Sequence, residues 1–192
     1  MQRSSHTDQI CSTCWNRAID AFGTGEIFLK RGQKNTNLLK AISFSGIVVP
    51  LVIGGVVLGF GTGGNYLNVL LPIAASVGIV QLVFSTFSIV YNWADELQYS
   101  LESATENFSL SLRFKELGEQ ASNPPNDINL RFTSLKVLDE ARQAADIKKH
   151  ISPKELRYGH RAGLRQFSRA CATCKEVPIS MKASKCQTCG GF

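Results

Sequence analysis

Apolar residues are arranged in two different ways along this 192-residue chain. In the flanking parts they recur every three or four positions among polar residues. In the middle they are nearly continuous. Residues 41–60 form a run that holds twelve Ile, Leu, Val and Phe. Residues 61–65 (Gly-Thr-Gly-Gly-Asn) read as a turn, because glycine tolerates positive φ and breaks helices. Residues 66–90 form a second apolar run. At 1.5 Å per residue, twenty helical residues cover about 30 Å, the hydrocarbon thickness of a bilayer. The pattern predicts two membrane-spanning helices, 41–60 and 66–90, joined as a tight hairpin. Tyr66, Tyr91 and Trp93 stand at the ends of the second, where amphipathic aromatics favour the interface.

The flanks predict short amphipathic helices. Over residues 8–23, Cys11, Cys14, Trp15, Ala18 and Phe22 share one face. Beyond the hairpin, Leu97, Leu101, Ala104, Phe108 and Leu112 continue a helical stripe, which predicts a helix running directly out of the second span. The paired prolines within residues 122–127 end it. A further helix over 128–150 would turn Phe132, Leu135, Leu138 and Ala145 inward. Ser152, Pro153 and Glu155 form a strong helix start, a capping Ser with Pro at the first position and Glu reaching back. The expected fold is an all-α membrane protein: a two-helix transmembrane hairpin, cytoplasmic helices, and a small C-terminal zinc-ribbon-like module. The expected segments are 1–40, 41–92, 93–150 and 151–192.

Charge sharpens this outline. All 36 charged residues lie outside the 54 positions between Lys40 and Asp95. That gap excludes an ordinary single-core soluble domain, and a disordered chain as well. Forty mainly polar residues precede the first run and no cleavage pattern follows it, so it does not read as a secretory signal. Lys30, Arg31, Lys34 and Lys40 flank the first run, and the hairpin loop carries no charge. By the positive-inside rule both termini are then cytoplasmic, with the hairpin in the inner membrane.

Within the second run, Ala74, Gly78, Gln81, Ser85, Ser88 and Asn92 follow one another at steps of four and three, which gathers them on one seam. The first run carries Gly55 and Gly59 in a GxxxG pattern, with Gly46, Pro50 and Gly54. Small residues let membrane helices approach closely, and Gln or Ser side chains hydrogen-bond across them. Two readings remain open: packing of the two spans on each other, or an oligomer seam or pore lining.

The basic residues concentrate at the other end. Residues 147–192 contain ten Lys or Arg and two acids, a balance of +8. Residues 95–146 carry a balance of −5. Arg157, Arg161, Arg165 and Arg169 recur at strict i+4 spacing, a candidate anion-binding stripe. Lipid headgroups, nucleic acid or a nucleotide phosphate would suit it, as would a solvated face or pairing with the acidic helices.

The six cysteines form three CxxC pairs. Cys171 with Cys174 and Cys186 with Cys189 lie eleven residues apart. Each CxxC places two thiolates on one tight turn, and two such turns make a tetrahedral Cys₄ site. Gly190 suits the second turn. A segment this short folds only with its metal, and structural zinc is the expected ion, with an iron–sulfur cluster the alternative. Cys11 and Cys14 lie on the apolar face of their helix. They read as buried thiols or as a second metal or exchange pair.

No enzyme signature emerges. The glycine-rich 59–64 stretch lacks the Lys and Ser/Thr of a phosphate loop. His6, His150 and His160 are scattered, and four cysteines leave no open metal position for a catalytic water.

The arrangement Cys171-x2-Cys174-x11-Cys186-x2-Cys189 resembles the mobilome CxxCx(11)CxxC proteins. The short helix with Trp15 and Ala18, the hairpin, and the long helix from Trp93 resemble SLATT-type two-span effector domains. Together these resemblances imply a membrane effector of a prokaryotic mobile element or anti-phage defence system. It would oligomerise through its hairpin to permeabilise the membrane once a sensor protein or nucleotide signal arrives. The alternative is a membrane-tethered zinc module that binds nucleic acid or an anionic nucleotide.

Overall fold

The computed structural model describes residues 2–60, 67–120 and 125–192. The expected turn at 61–65, Tyr66 and the first part of the 122–127 break lie outside the described residues. Five helices follow in order: α1 (Gln2–Phe60), α2 (Leu67–Val90), α3 (Trp93–Gln120), α4 (Ile128–Ile147) and α5 (Pro153–Gln166). Among the described residues there is no strand. The chain divides into two compact units, one of residues 1–30 with 100–192 and one of residues 31–99.

The expected helix over 8–23 is the first part of α1, which continues without a break to Phe60. Gly23 and Gly25 do not end it, because each is a point of close packing. A β-carbon on Gly23 would meet the Gly159 carbonyl group at 2.5 Å, and one on Gly25 would meet the Phe108 ring at 2.8 Å. Conversely, α3 does not grow directly from α2. Tyr91 and Asn92 form a turn, with Asn92 at φ 47°, a left-handed conformation that Asn tolerates better than most residues.

In the unit of residues 31–99, α2 presents one half-buried face. Ala74, Gly78, Gln81, Ser85 and Ser88 are its half-buried positions together with Leu70, and the large side chains around them, such as Ile79, Leu82 and Ile89, are exposed. The facing helix is α1: the Gln81 Nε2 atom would lie 2.6 Å from a β-carbon on Gly46. Five of the six predicted seam residues thus pack toward the partner span, and Asn92 sits beyond the helix end, exposed. Pro50 removes the helical donor that the Gly46 carbonyl would otherwise receive, at the level Gln81 approaches. Gly55 and Gly59 are exposed, with nothing within 4 Å of an added β-carbon. Both Thr7–Gly59 and Asn68–Val90 contain a stretch long and apolar enough to cross a bilayer, and none of either stretch is buried.

The other unit packs around the first half of α1. One core joins Ile10, Cys14, Ala18 and Ala21 of α1 to Leu110, Phe114 and Leu117 of α3 and to Ile128 and Leu135 of α4. The inward faces of α3 and α4 correct the expected stripes. Leu101, Leu112 and Leu138 are exposed, while Ser100, Ser103, Asn107 and Ser111 of α3 and Asp139, Arg142 and Asp146 of α4 are buried. Their polar atoms find partners, which makes burial tolerable. Asp146 accepts from Ser103 Oγ and Asn107 Nδ2, both at 2.8 Å, and from Arg142 Nη2 at 2.7 Å. Arg142 also reaches Glu106 at 2.7 Å, and Ser111 donates to the Ala18 carbonyl at 2.7 Å. Burial raises the Asp139 carboxyl above its ordinary range even though Arg17 is bonded to it.

A candidate metal centre

The C-terminal site begins with the seating of α5. Ser152 accepts from the Glu155 amide while the Glu155 carboxylate accepts from the Ser152 amide, the predicted capping box. Gly159 and Gly163 then lie one turn apart on the face that meets α1. Gly159 faces Gly23, and a β-carbon on Gly163 would overlap the Ile19 carbonyl. Two missing side chains thus let the α5 backbone rest on the α1 backbone.

A different face of α5 holds the cysteine segment. Arg161 is buried and donates from Nε to the Ser180 carbonyl at 2.8 Å and from Nη1 to the Cys189 carbonyl at 3.1 Å. The same nitrogen lies 3.3 Å from Ser184 Oγ and 3.9 Å from Cys189 Sγ. Arg157 Nη2 donates to the Gly191 carbonyl at 3.0 Å. Phe167 packs against both the bundle core and the smaller core of Ile19, Leu164, Cys171 and Cys189. The expected four-arginine anion face is corrected here. Arg161 braces the segment from within, the half-buried Arg157 holds its end at the surface, Arg169 stacks over the Trp15 ring at 4.5 Å, and Arg165 is exposed. α5 ends at Gln166, so Arg169 lies off the helix, and for the other three a helix turning 100° per residue makes i+4 spacing drift around the axis.

The four sulfurs of Cys171, Cys174, Cys186 and Cys189 all lie within 4.8 Å of one another. Cys174 and Cys189 are 3.8 Å apart. A tetrahedron of Zn–S bonds of about 2.3 Å has edges of about 3.8 Å, so the donor set fits a four-coordinate ion. Two C-x-T-C turns supply the sulfurs. In the first, the Lys175 amide donates to the Cys171 carbonyl and the Cys171 amide to the Glu176 carbonyl, both at 2.9 Å. Lys175 takes φ 61°. The matching position after the second CxxC is Gly190, packed so closely on the Ser184 carbonyl that a β-carbon would overlap it. The third residue of each motif is Thr, and the Thr173 and Thr188 hydroxyls meet at 2.7 Å. The repeated C-x-T-C was visible in the sequence and was the available signal for this pairing.

Electrostatics separates the thiols. Burial pushes Cys171 up, but the Cys174 and Thr173 amides and the neighbouring thiols outweigh it and hold it at about 6. The Cys189 and Thr188 amides lower Cys186. Burial, with the surrounding thiols, pushes Cys189 up to about 12. Amides aimed at sulfur are what a thiolate ligand needs. His160 stands beside the group on α5. The Asp20 carboxylate, 3.8 Å from His160 Nδ1, raises its pKa more than burial lowers it, and Cys171 adds to the rise. Reasoning from sequence missed this contact, because scattered histidines carry no spacing signal.

Cys11 and Cys14 are elsewhere. Both sit mid-helix in α1; Cys14 is fully buried in the bundle core, and Cys11 Sγ lies 3.3 Å from the Gly118 carbonyl. Burial pushes Cys14 up to about 11. Neither belongs to the sulfur cluster.

The family model for mobilome CxxCx(11)CxxC proteins matches residues 11–192, so the chain belongs to that family. No curated protein and no solved structure matches it.

Proposed function

We propose that this mobilome CxxCx(11)CxxC protein is a membrane effector of a mobile-element or defence system that permeabilises the inner membrane as a homo-oligomer. The observation that carries this reading is the hairpin itself. Gln81, Ser85 and Ser88 turn toward the partner span, and the outer surface is mainly large aliphatic residues with Gly55 and Gly59, where the exposed Ser76 and Thr86 hydroxyls are bonded back to carbonyls of their own helix, a surface suited to lipid or to other hairpins. In this reading Gln81, Ser85 and Ser88 hold the hairpin closed in the resting chain and line the lesion after assembly. Both termini are cytoplasmic, from the basic residues before the first span. The Cys₄ group holds a structural zinc ion, since four thiolates fill its coordination, and the chain carries out no catalysis. A sensor protein or nucleotide signal acts on the cytoplasmic helices.

The test is dye release from liposomes that contain the purified full chain, alongside its oligomeric state in detergent. Release that rises steeply with protein density, from a species of several chains, is the expected result. A monomer that leaves vesicles intact at every density overturns the reading. The nucleic-acid or nucleotide alternative would rest on the exposed Arg165 and Arg169, since Arg161 is engaged inside the module.

A further inference from the structure

The segment between the two knuckles, residues 175–185, is held at several points along its length. The Glu176 carbonyl is bonded to the Cys171 amide, the Ser180 carbonyl to Arg161, and the Ser184 carbonyl to the Gly191 amide. Pro178 is buried. These anchors fix which side chains face outward. Ile179 is 92% exposed and Val177 is exposed beside it. A braced loop has no need of an aliphatic tip in water, and each such side chain loses transfer free energy there. Lys175, Lys182 and Lys185 are exposed along the same segment, with Glu176 its only acid.

We infer that this loop is a bilayer-insertion tip, with Val177 and Ile179 entering the interface of an anionic membrane while the three lysines meet its headgroups. Exposed aliphatic side chains on a segment that also exposes three lysines match the two layers of such an interface, apolar below and negative above. A polyanion in water would match the lysines and leave Ile179 without a role. The inference is independent of permeabilisation: it needs only the braced loop and its charge. Three lysines near the surface predict a preference on the order of 100-fold for anionic over neutral lipid.

The experiment uses the full metal-loaded chain in nanodiscs, with vesicles of either phosphatidylcholine alone or phosphatidylcholine with phosphatidylglycerol added. Amide exchange across residues 175–185 is followed by mass spectrometry. The expected result is exchange slowed by about tenfold or more with anionic vesicles and unchanged with neutral ones. Ile179→Asp should abolish the slowing at full metal content, and Lys182→Gln with Lys185→Gln should weaken it. Equal exchange in both lipids overturns the inference. So does a slowing that survives Ile179→Asp, or one that soluble polyphosphate reproduces with no anionic lipid.

Discussion

The chain uses the same four-residue motif in two unlike settings. Cys11 and Cys14 lie mid-helix in α1, with the second thiol sealed into an apolar core. Cys171 and Cys174, like Cys186 and Cys189, lie on turns whose amides point at sulfur. In a helix the amides are committed to carbonyls four residues back, so none is left to favour a thiolate. The spacing is equal in all three pairs; the backbone decides the chemistry. In the helix burial pushes Cys14 up to about 11, whereas the turns hold Cys171 at about 6 beside a buried Cys189 pushed up to about 12, so only the sulfurs that the turn amides face are lowered.

The largest test of this contrast is Cys174→Ser. It should cut bound metal from one ion per chain to nearly none and unfold the 171–192 segment, read by elemental analysis and by loss of that segment's amide protection. Cys14→Ser should leave one ion per chain while costing about 1–3 kcal/mol of stability, because a hydroxyl enters a core site without a partner. A metal content that falls with Cys14→Ser would break the contrast.

Next in size is the pair of positions that follow the knuckles. Gly190→Ala drives a methyl group into the Ser184 carbonyl and should weaken metal retention against a chelator at least about tenfold, an order-of-magnitude expectation for a displaced ligand turn. Lys175→Gly should instead stabilise by about 1 kcal/mol, by relieving a non-glycine residue at φ 61°.

The smallest effect is a pH dependence. Cys14 is raised from 9.0 to about 11 on folding, so the unfolded chain ionises first. Its contribution is fully present below pH 9 and is lost as pH rises through about 11. Thermal unfolding from pH 8 to 11 should therefore show a decline that Cys14→Ala reduces.

What the sequence made legible follows from how local each signal is. The two apolar runs announce themselves because no charge interrupts them, and the sulfur cluster because its ligands sit on two tight turns. The continuity of α1 was hidden by Gly23 and Gly25, which look like breakers and act as contact points, with α5 and Phe108 as their neighbours. The stripes on α3 and α4 were misplaced because burial was read from apolarity alone. Ser103, Asn107 and Asp146 go inside because they satisfy one another across two helices, a relation no single helix displays. The arginine series was misread for the same reason. Arg161 is defined by carbonyls that arrive 19 and 28 residues later.

The buried guanidinium of Arg161 also bears on the charge of the chain as a whole. Four thiolates around a divalent ion leave about two net negative charges on the centre. With such an ion bound, Arg161 would lie against this dianion from inside the fold. Part of the +8 of residues 147–192 would then serve as a built-in counter-ion for the metal-loaded cluster. Loading with metal brings the tail closer to neutrality, whereas loss of the metal with reprotonation of the sulfurs leaves the same tail more cationic and exposes its charge to whatever anionic surface lies nearby.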